Sequence, residues 1–186
     1  MDEEKIKRAD PKTRLFKDQK TGFAITIVYL GFIYGTLGIA RTVQQTLNKA
    51  GFEPFFFQCL FVLSIVITGY LLVAFRVKGL SNYLCLAVLI FTFYWLFKEV
   101  IATPVEKLHF IQYGLLTFLV FYTLQFSIRD RFLYFWTAMA VFGAGCLDES
   151  IQFYLPDRVY DPRDIVINGV AGILTLIFIG FVLKEE

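Results

Sequence analysis

Six apolar stretches run through this 186-residue chain, at residues 22–40, 54–75, 82–101, 109–127, 132–154 and 162–183. Each approaches or exceeds the ~20 residues an α-helix needs to cross a ~30 Å hydrocarbon layer. A backbone that enters lipid must satisfy its own N–H and C=O groups, which a helix does and an open strand does not. The expected fold is therefore all-α, a polytopic transmembrane helical bundle of about six helices. Composition agrees: 22 Phe and 10 Tyr in a chain that is 57% hydrophobic exceed what a soluble domain of this size can hide. No internal repeat divides the bundle. Residues 1–21 read as a basic cytoplasmic segment and residues 22–186 as a single transmembrane domain.

Helix ends are marked locally. The first stretch continues into an amphipathic tail at residues 41–50 that Gly51 stops, and Pro54 suits the first turn of the second helix. The linkers at residues 76–81 and 127–131 are short, so the helices they join run antiparallel. The N-terminal region departs from the pattern of a cleavable signal peptide, because its charged part is long and the apolar run behind it exceeds the usual ~7–15 residues.

Basic residues set the orientation. Lys5, Lys7, Arg8, Lys12, Arg14, Lys17 and Lys20 precede the first helix, mixed with five acids. With the N-terminus inside, Arg76, Lys78, Arg129, Arg131 and Lys184 join them on the inner side, twelve in all. Six remain outside: Arg41, Lys49, Lys98, Lys107, Arg158 and Arg163. This twofold bias places both termini in the cytoplasm. A net charge of +2 without a recognisable module argues against nucleic acid as a partner, and membrane lipids are the expected one. Cys59, Cys85 and Cys146 lie inside apolar runs without metal-type spacing and read as buried free thiols.

On this topology the loops near residues 102–108 and 155–161 share the outer side. Both end in helix-start signals. Thr103, Pro104 and Glu106 form a capping box with proline at the first helical position, and Asp161, Pro162 and Asp164 repeat it with aspartates. Three helices carry polar residues near these ends: Glu106, Lys107, His109, Gln112 and Tyr113 on the fourth, and Asp148, Glu149 and Gln152 on the fifth. The next loop and the sixth helix add Arg158, Asp161, Arg163, Asp164 and Asn168.

His109 and Tyr113, Asp148 and Gln152, and Asp164 and Asn168 are each four residues apart and share a helix face. At ~1.5 Å per residue, Tyr113 and Asn168 lie only about 6 Å inside His109 and Asp164, and Asp148 lies about 24 Å from Phe132. All three sets reach the outer third of the bilayer, where an ionisable group facing lipid costs on the order of 2–3 kcal/mol or more. They are expected to face one another. Asp148 and Glu149 point about 100° apart, so one of the two is expected at the cluster centre.

The stretch Glu106-Lys107-Leu108-His109-Phe110-Ile111-Gln112-Tyr113-Gly114 resembles the first motif of the VanZ-like family. Asp148-Glu149-Ser150-Ile151-Gln152, followed by Pro156, Arg158, Asp161, Asp164, Asn168 and Gly169, resembles the second. The resemblance covers residues 98–183, and the earlier helices match only in being hydrophobic. Asp157 stands where the family often has glycine, which adds a negative charge beside Arg158. The resemblance implies a protein of a bacterial-type plasma membrane and cell envelope. The family is named for a member associated with teicoplanin resistance, a phenotype that specifies neither a reaction nor a cofactor.

Each polar residue carries a scaffolding reading beside a functional one. His109, the one histidine, suits a structural helix start, but five neighbouring carboxylates also make it a candidate proton carrier. Glu149 is the leading candidate for chemistry because no capping role explains it, and Asp148 stands beside it. Asp161 and Asp164 read as caps that complete the network. Arg158 either binds an anion or neutralises Asp148 or Glu149. Lys107, Gln112, Tyr113, Gln152 and Asn168 can orient a ligand, and such residues also glue transmembrane helices together. The acid and histidine set leaves a metal open, although its spacing matches no metal signature.

Three function classes follow. The preferred one is a binder of an amphiphilic envelope lipid, lipid-linked precursor or glycopeptide at the outer face. The second is a membrane-embedded hydrolase or transferase acting on such a lipid, with Glu149 as base and His109 as proton carrier. The third, a proton-coupled transporter, is opposed by the uncharged centres of the first three helices and the lack of an interrupted helix pair.

Overall fold

The computed structural model describes residues 15–101, 103–155 and 160–183, without the side chains at 40 and 41. Among these residues every regular element is helical: α1 (Gln19–Lys49), α2 (Glu53–Ala74), α3 (Leu80–Trp95), α4 (Pro104–Leu124), α5 (Phe132–Tyr154) and α6 (Pro162–Ile177). α3 continues into a π-helical turn at Leu96–Val100 and α6 into another at Phe178–Val182. Four stretches are long and apolar enough to cross a membrane: Gln19–Ile39, Glu53–Ala74, Leu80–Val100 and Pro162–Val182. This is the build of a membrane protein. α4 and α5 have comparable length, 21 and 23 residues, but their polar side chains dilute the apolar content.

The helix ends follow from local chemistry. Asp18 Oδ1 accepts a 2.8 Å hydrogen bond from Thr21 N at the start of α1, and that bond holds the Asp18 carboxyl below the usual carboxylate range. α1 runs to Lys49, and Gly51, at φ 72°, turns the chain where a side chain would be strained. Thr103 Oγ1 accepts from Glu106 N at 3.1 Å, and Asp161 Oδ1 from Arg163 N at 2.9 Å. Each of these caps precedes a proline at the first helical turn. Between α2 and α3, Arg76 takes the left-handed conformation, φ 51°, that glycine usually fills.

α4 is the centre of the bundle. It packs along α1, α5 and α6, and α6 packs in turn along α5. Small residues allow the close α4–α6 approach: a Cβ on Gly172 would stand 3.2 Å from Thr117 Oγ1, and one on Gly114 3.2 Å from Thr175 Oγ1. α3 lies against the π turn at Phe178–Val182, where buried Asn82 donates to Val182 O at 3.0 Å. α2 stands at the edge and buries only Leu71.

Gln19 donates to Ser127, and Thr26 meets Thr123 at 3.1 Å. The start of α1 and the α4–α5 loop therefore share one end of the bundle, the basal end. The α3–α4 and α5–α6 connections lie at the opposite, distal end. Trp95 and Trp136 are exposed near opposite ends, as interfacial belts require. The three cysteines are free, but the expectation that they are buried fails. Cys59 is exposed and Cys85 and Cys146 partly so. An apolar helix facing lipid needs no protein cover for a thiol.

Candidate functional site

The distal turns of α4, α5 and α6 close around Asp148, which has no exposed surface. Tyr113, one turn below His109 on α4, donates its hydroxyl to Asp148 Oδ2 at 2.8 Å. His109 Nδ1 lies 3.4 Å from the same oxygen. Gln152, one turn further along α5, donates to Asp148 Oδ1 at 3.2 Å. The expected four-residue spacings on α4 and α5 thus converge on one carboxylate.

Glu149 corrects two expectations. It is as buried as Asp148, so both neighbouring carboxylates face inward. The physical reason is Gln152, whose Nε2 also donates to Glu149 Oε1 at 2.6 Å and spans the 100° between the two acids. Glu149 also has a capping role after all. Its Oε2 accepts from Asp161 N at 3.0 Å, the backbone donor that an aspartate three residues along would satisfy in a closed capping box. Asp161 keeps its own role as the α6 cap. Asp164, half-buried, lies close enough to Glu149 for their charges to interact.

Asn168 completes the interior. It is 1% exposed, and neither Nδ2 nor Oδ1 has a hydrogen-bond partner among the described residues. It lies beside Gly145, where an added Cβ would stand 3.7 Å from Asn168 Cβ and 3.7 Å from Tyr113 Cε1. An unsatisfied buried carboxamide costs about 1–3 kcal/mol, so such a group in a native bundle calls for a partner beyond the described residues.

Other expected residues stand further out. Glu106 and Arg163 form a rim pair at 3.9 Å, and Arg163 also donates to Val100 O. Lys107 is half-buried, and no hydrogen bond or ion pair among the described residues ties it to the cluster. Gln112 contributes its carbonyl, which accepts from Tyr29 of α1 at 3.2 Å, rather than its carboxamide. Arg158, expected as anion binder or counter-charge, lies outside the described residues.

The sequence reading missed Tyr34. Its hydroxyl donates to Ala144 O at 2.9 Å, the carbonyl that Tyr113 Oη approaches to 3.2 Å. The available signal was a tyrosine in the middle of an apolar span, since a phenol there needs a partner.

The assembled site is a closed set of ionisable groups, His109, Asp148 and Glu149, with Tyr113 and Gln152 hydrogen-bonded to the two acids. Asn168 offers both a donor and an acceptor beside them. Among the described residues no group of three or more His, Cys, Asp or Glu is arranged to hold a metal ion. Comparison with family models, with curated proteins and with solved structures gives no match, so the functional reading rests on this geometry and on the sequence motifs.

Proposed function

We propose that this chain is a VanZ-like protein of a bacterial-type plasma membrane, with six spans and both termini cytoplasmic. Its distal, extracytoplasmic end binds the headgroup of an amphiphilic envelope lipid or lipid-linked precursor. A role in teicoplanin resistance follows if that ligand belongs to the wall precursors the drug depends on. Asn168 carries the reading: a buried carboxamide without a hydrogen-bond partner among the described residues, beside a hydrogen-bonded set of acids and a histidine. A headgroup with hydroxyl or amide groups supplies a donor for Oδ1, and its carbonyl, hydroxyl or phosphate oxygens supply an acceptor for Nδ2. The enclosure of the cluster between helices favours a ligand that arrives within the membrane over a bulky glycopeptide.

The 3.4 Å approach of His109 to Asp148 supports a second reading. An imidazole oriented by a buried carboxylate is the arrangement of a general acid or base. With Glu149 as base and His109 as proton carrier, the same site would turn over a lipid-linked substrate as a hydrolase or transferase.

The test is Asn168→Leu, which keeps the volume and removes both unsatisfied atoms. A purely structural Asn168 predicts higher thermal stability in detergent with function retained. The binding reading predicts equal or higher stability with loss of lipid retention by native mass spectrometry and of drug protection in cells. A stable Asn168→Leu protein that retains both would remove the proposal. Glu149→Gln separates the second reading, because loss of basicity abolishes turnover while a binder keeps its lipid.

A further inference from the structure

Tyr34 connects the cluster to the outer surface of the bundle. Its hydroxyl binds the Ala144 carbonyl at 2.9 Å, Tyr113 Oη lies 3.2 Å from that carbonyl, and Tyr113 binds Asp148. Tyr113 is fully buried, whereas Tyr34 is partly exposed. The helices on either side of this contact meet only sparsely. α1 packs along α4, and α5 along α6, but α1 and α5 barely touch, and the Tyr34–Ala144 hydrogen bond links them.

The surface along this seam is bare. Gly31, Gly35 and Gly38 lie on the α1 flank adjoining Tyr34 at ~100° per residue, and open space surrounds the point where each would carry a Cβ. The same holds for Gly143 on α5, next to Ala144. A row of glycines alone identifies no ligand. Asn168 is the independent observation: it is buried beside Gly145 and Tyr113, the tyrosine that shares the Ala144 carbonyl with Tyr34, and neither of its amide atoms has a partner among the described residues.

We propose that the α1–α5 seam is the lateral entrance for a lipid ligand, with Tyr34 as its latch. This rests on the headgroup reading above and adds the route and the ligand class. The occupant is a lipid with an acyl or polyprenyl chain. Its headgroup meets Asn168 and the Asp148 network, while its chain lies in the glycine-lined seam. Opening requires breaking one tyrosine–carbonyl hydrogen bond at the membrane-facing side, and the tightly packed α4–α6 contact stays intact. Tyr34 acts here as a positioning residue.

The experiment uses the full chain in vesicles of phosphatidylethanolamine and phosphatidylglycerol, doped with phosphatidylglycerol that carries a diazirine on its acyl chain. Photolabelling should be enriched at residues 31–38 and 140–147 above the background of the lipid-facing α2, and that excess should compete with unlabelled phosphatidylglycerol. Gly35→Phe adds a ring at a position where a Cβ meets nothing within 4 Å and should lower labelling there about tenfold at unchanged thermal stability. Tyr34→Phe keeps the ring, removes the latch and should speed lipid exchange about fivefold, the value of one ~1 kcal/mol hydrogen bond. A merely structural Tyr34 would lower stability and leave exchange unchanged, which overturns the latch.

Parental labelling of Gly35→Phe, with labelling lost in Asn168→Leu, overturns the entrance and leaves the headgroup site standing. Parental labelling of both variants removes the headgroup reading as well. Even labelling around the whole bundle overturns the entrance. Rapid disulfide formation between copies of Gly35→Cys, beyond that of the parent chain, assigns the seam to a second copy and also overturns it.

Discussion

α2 and α4 are nearly equal in length, 22 and 21 residues, and differ in what they bury. α2 is the more uniformly apolar and buries one side chain, Leu71. α4 carries Glu106, His109, Gln112 and Tyr113 within its first turns and buries ten residues, His109 and Tyr113 among them. In water the more apolar helix would be the core. In lipid, hydrophobicity places a helix within the membrane but does not choose its neighbours, because acyl chains are as apolar as leucine. Helix contacts come instead from small residues that permit close approach and from polar groups that lipid cannot satisfy. Gly114, Thr117, Gly172 and Thr175 supply the first kind between α4 and α6, and Asp148 supplies the second between α4 and α5.

The largest test of this contrast sets Asp148→Ala against Val66→Ala. The first deprives Tyr113 and Gln152 each of one of two acceptors and His109 of its 3.4 Å contact. Breaking a buried polar set of this kind costs about 3–5 kcal/mol. Val66 is 61% exposed on α2, and its truncation should change stability by less than about 0.5 kcal/mol. Thermal unfolding in detergent measures both, and equal stabilities would break the comparison.

Glycine substitutions give the next effect. Gly172→Leu drives a side chain into Thr117 and Val141, 3.2 and 3.5 Å from the new Cβ, at a cost of about 1–3 kcal/mol. Gly69→Leu on α2 meets nothing within 4 Å and should be neutral or slightly stabilising. A destabilised Gly69→Leu would show that α2 has a packed neighbour in the membrane.

Two end effects are smaller and sharpen the picture locally. Thr103→Ala removes the 3.1 Å cap of α4 at the rim of the cluster and should cost about 1 kcal/mol. Arg76→Gly relieves the left-handed backbone at φ 51° and should stabilise by up to about 1 kcal/mol. The same substitution removes a positive charge at the basal end and should weaken topological bias in a cysteine-labelling assay.

Much of the architecture was legible along the chain. The expected apolar stretches agree with the helices to within a few residues, apart from α1, whose polar tail was foreseen and which runs to Lys49. Caps at Thr103 and Asp161 follow from short-range rules, since donor and acceptor lie within three residues. The convergence of His109, Tyr113, Asp148 and Gln152 followed from desolvation and helical spacing. The inward turn of both Asp148 and Glu149 did not, because it depends on one Gln152 amide reaching two carboxylates and on a backbone N–H from another helix. Tyr34 escaped for a similar reason: its acceptor is a carbonyl 110 positions away.

The sequence alone determined that the chain is helical, where its helices begin and stop, and which polar residues lipid could not solvate. Those properties depend on periodicity, local hydrogen bonding and the cost of exposing polar groups to hydrocarbon. Tertiary structure decided the rest. It made α4 the centre and left α2 at the edge, it turned Glu149 from a bare acid into the support of the α6 cap, and it buried Asn168 without a partner among the described residues. Such choices rest on which helix faces meet, and interhelical contacts in lipid are won by a few glycines and hydrogen bonds far apart in the chain rather than by hydrophobicity that a sequence window can read.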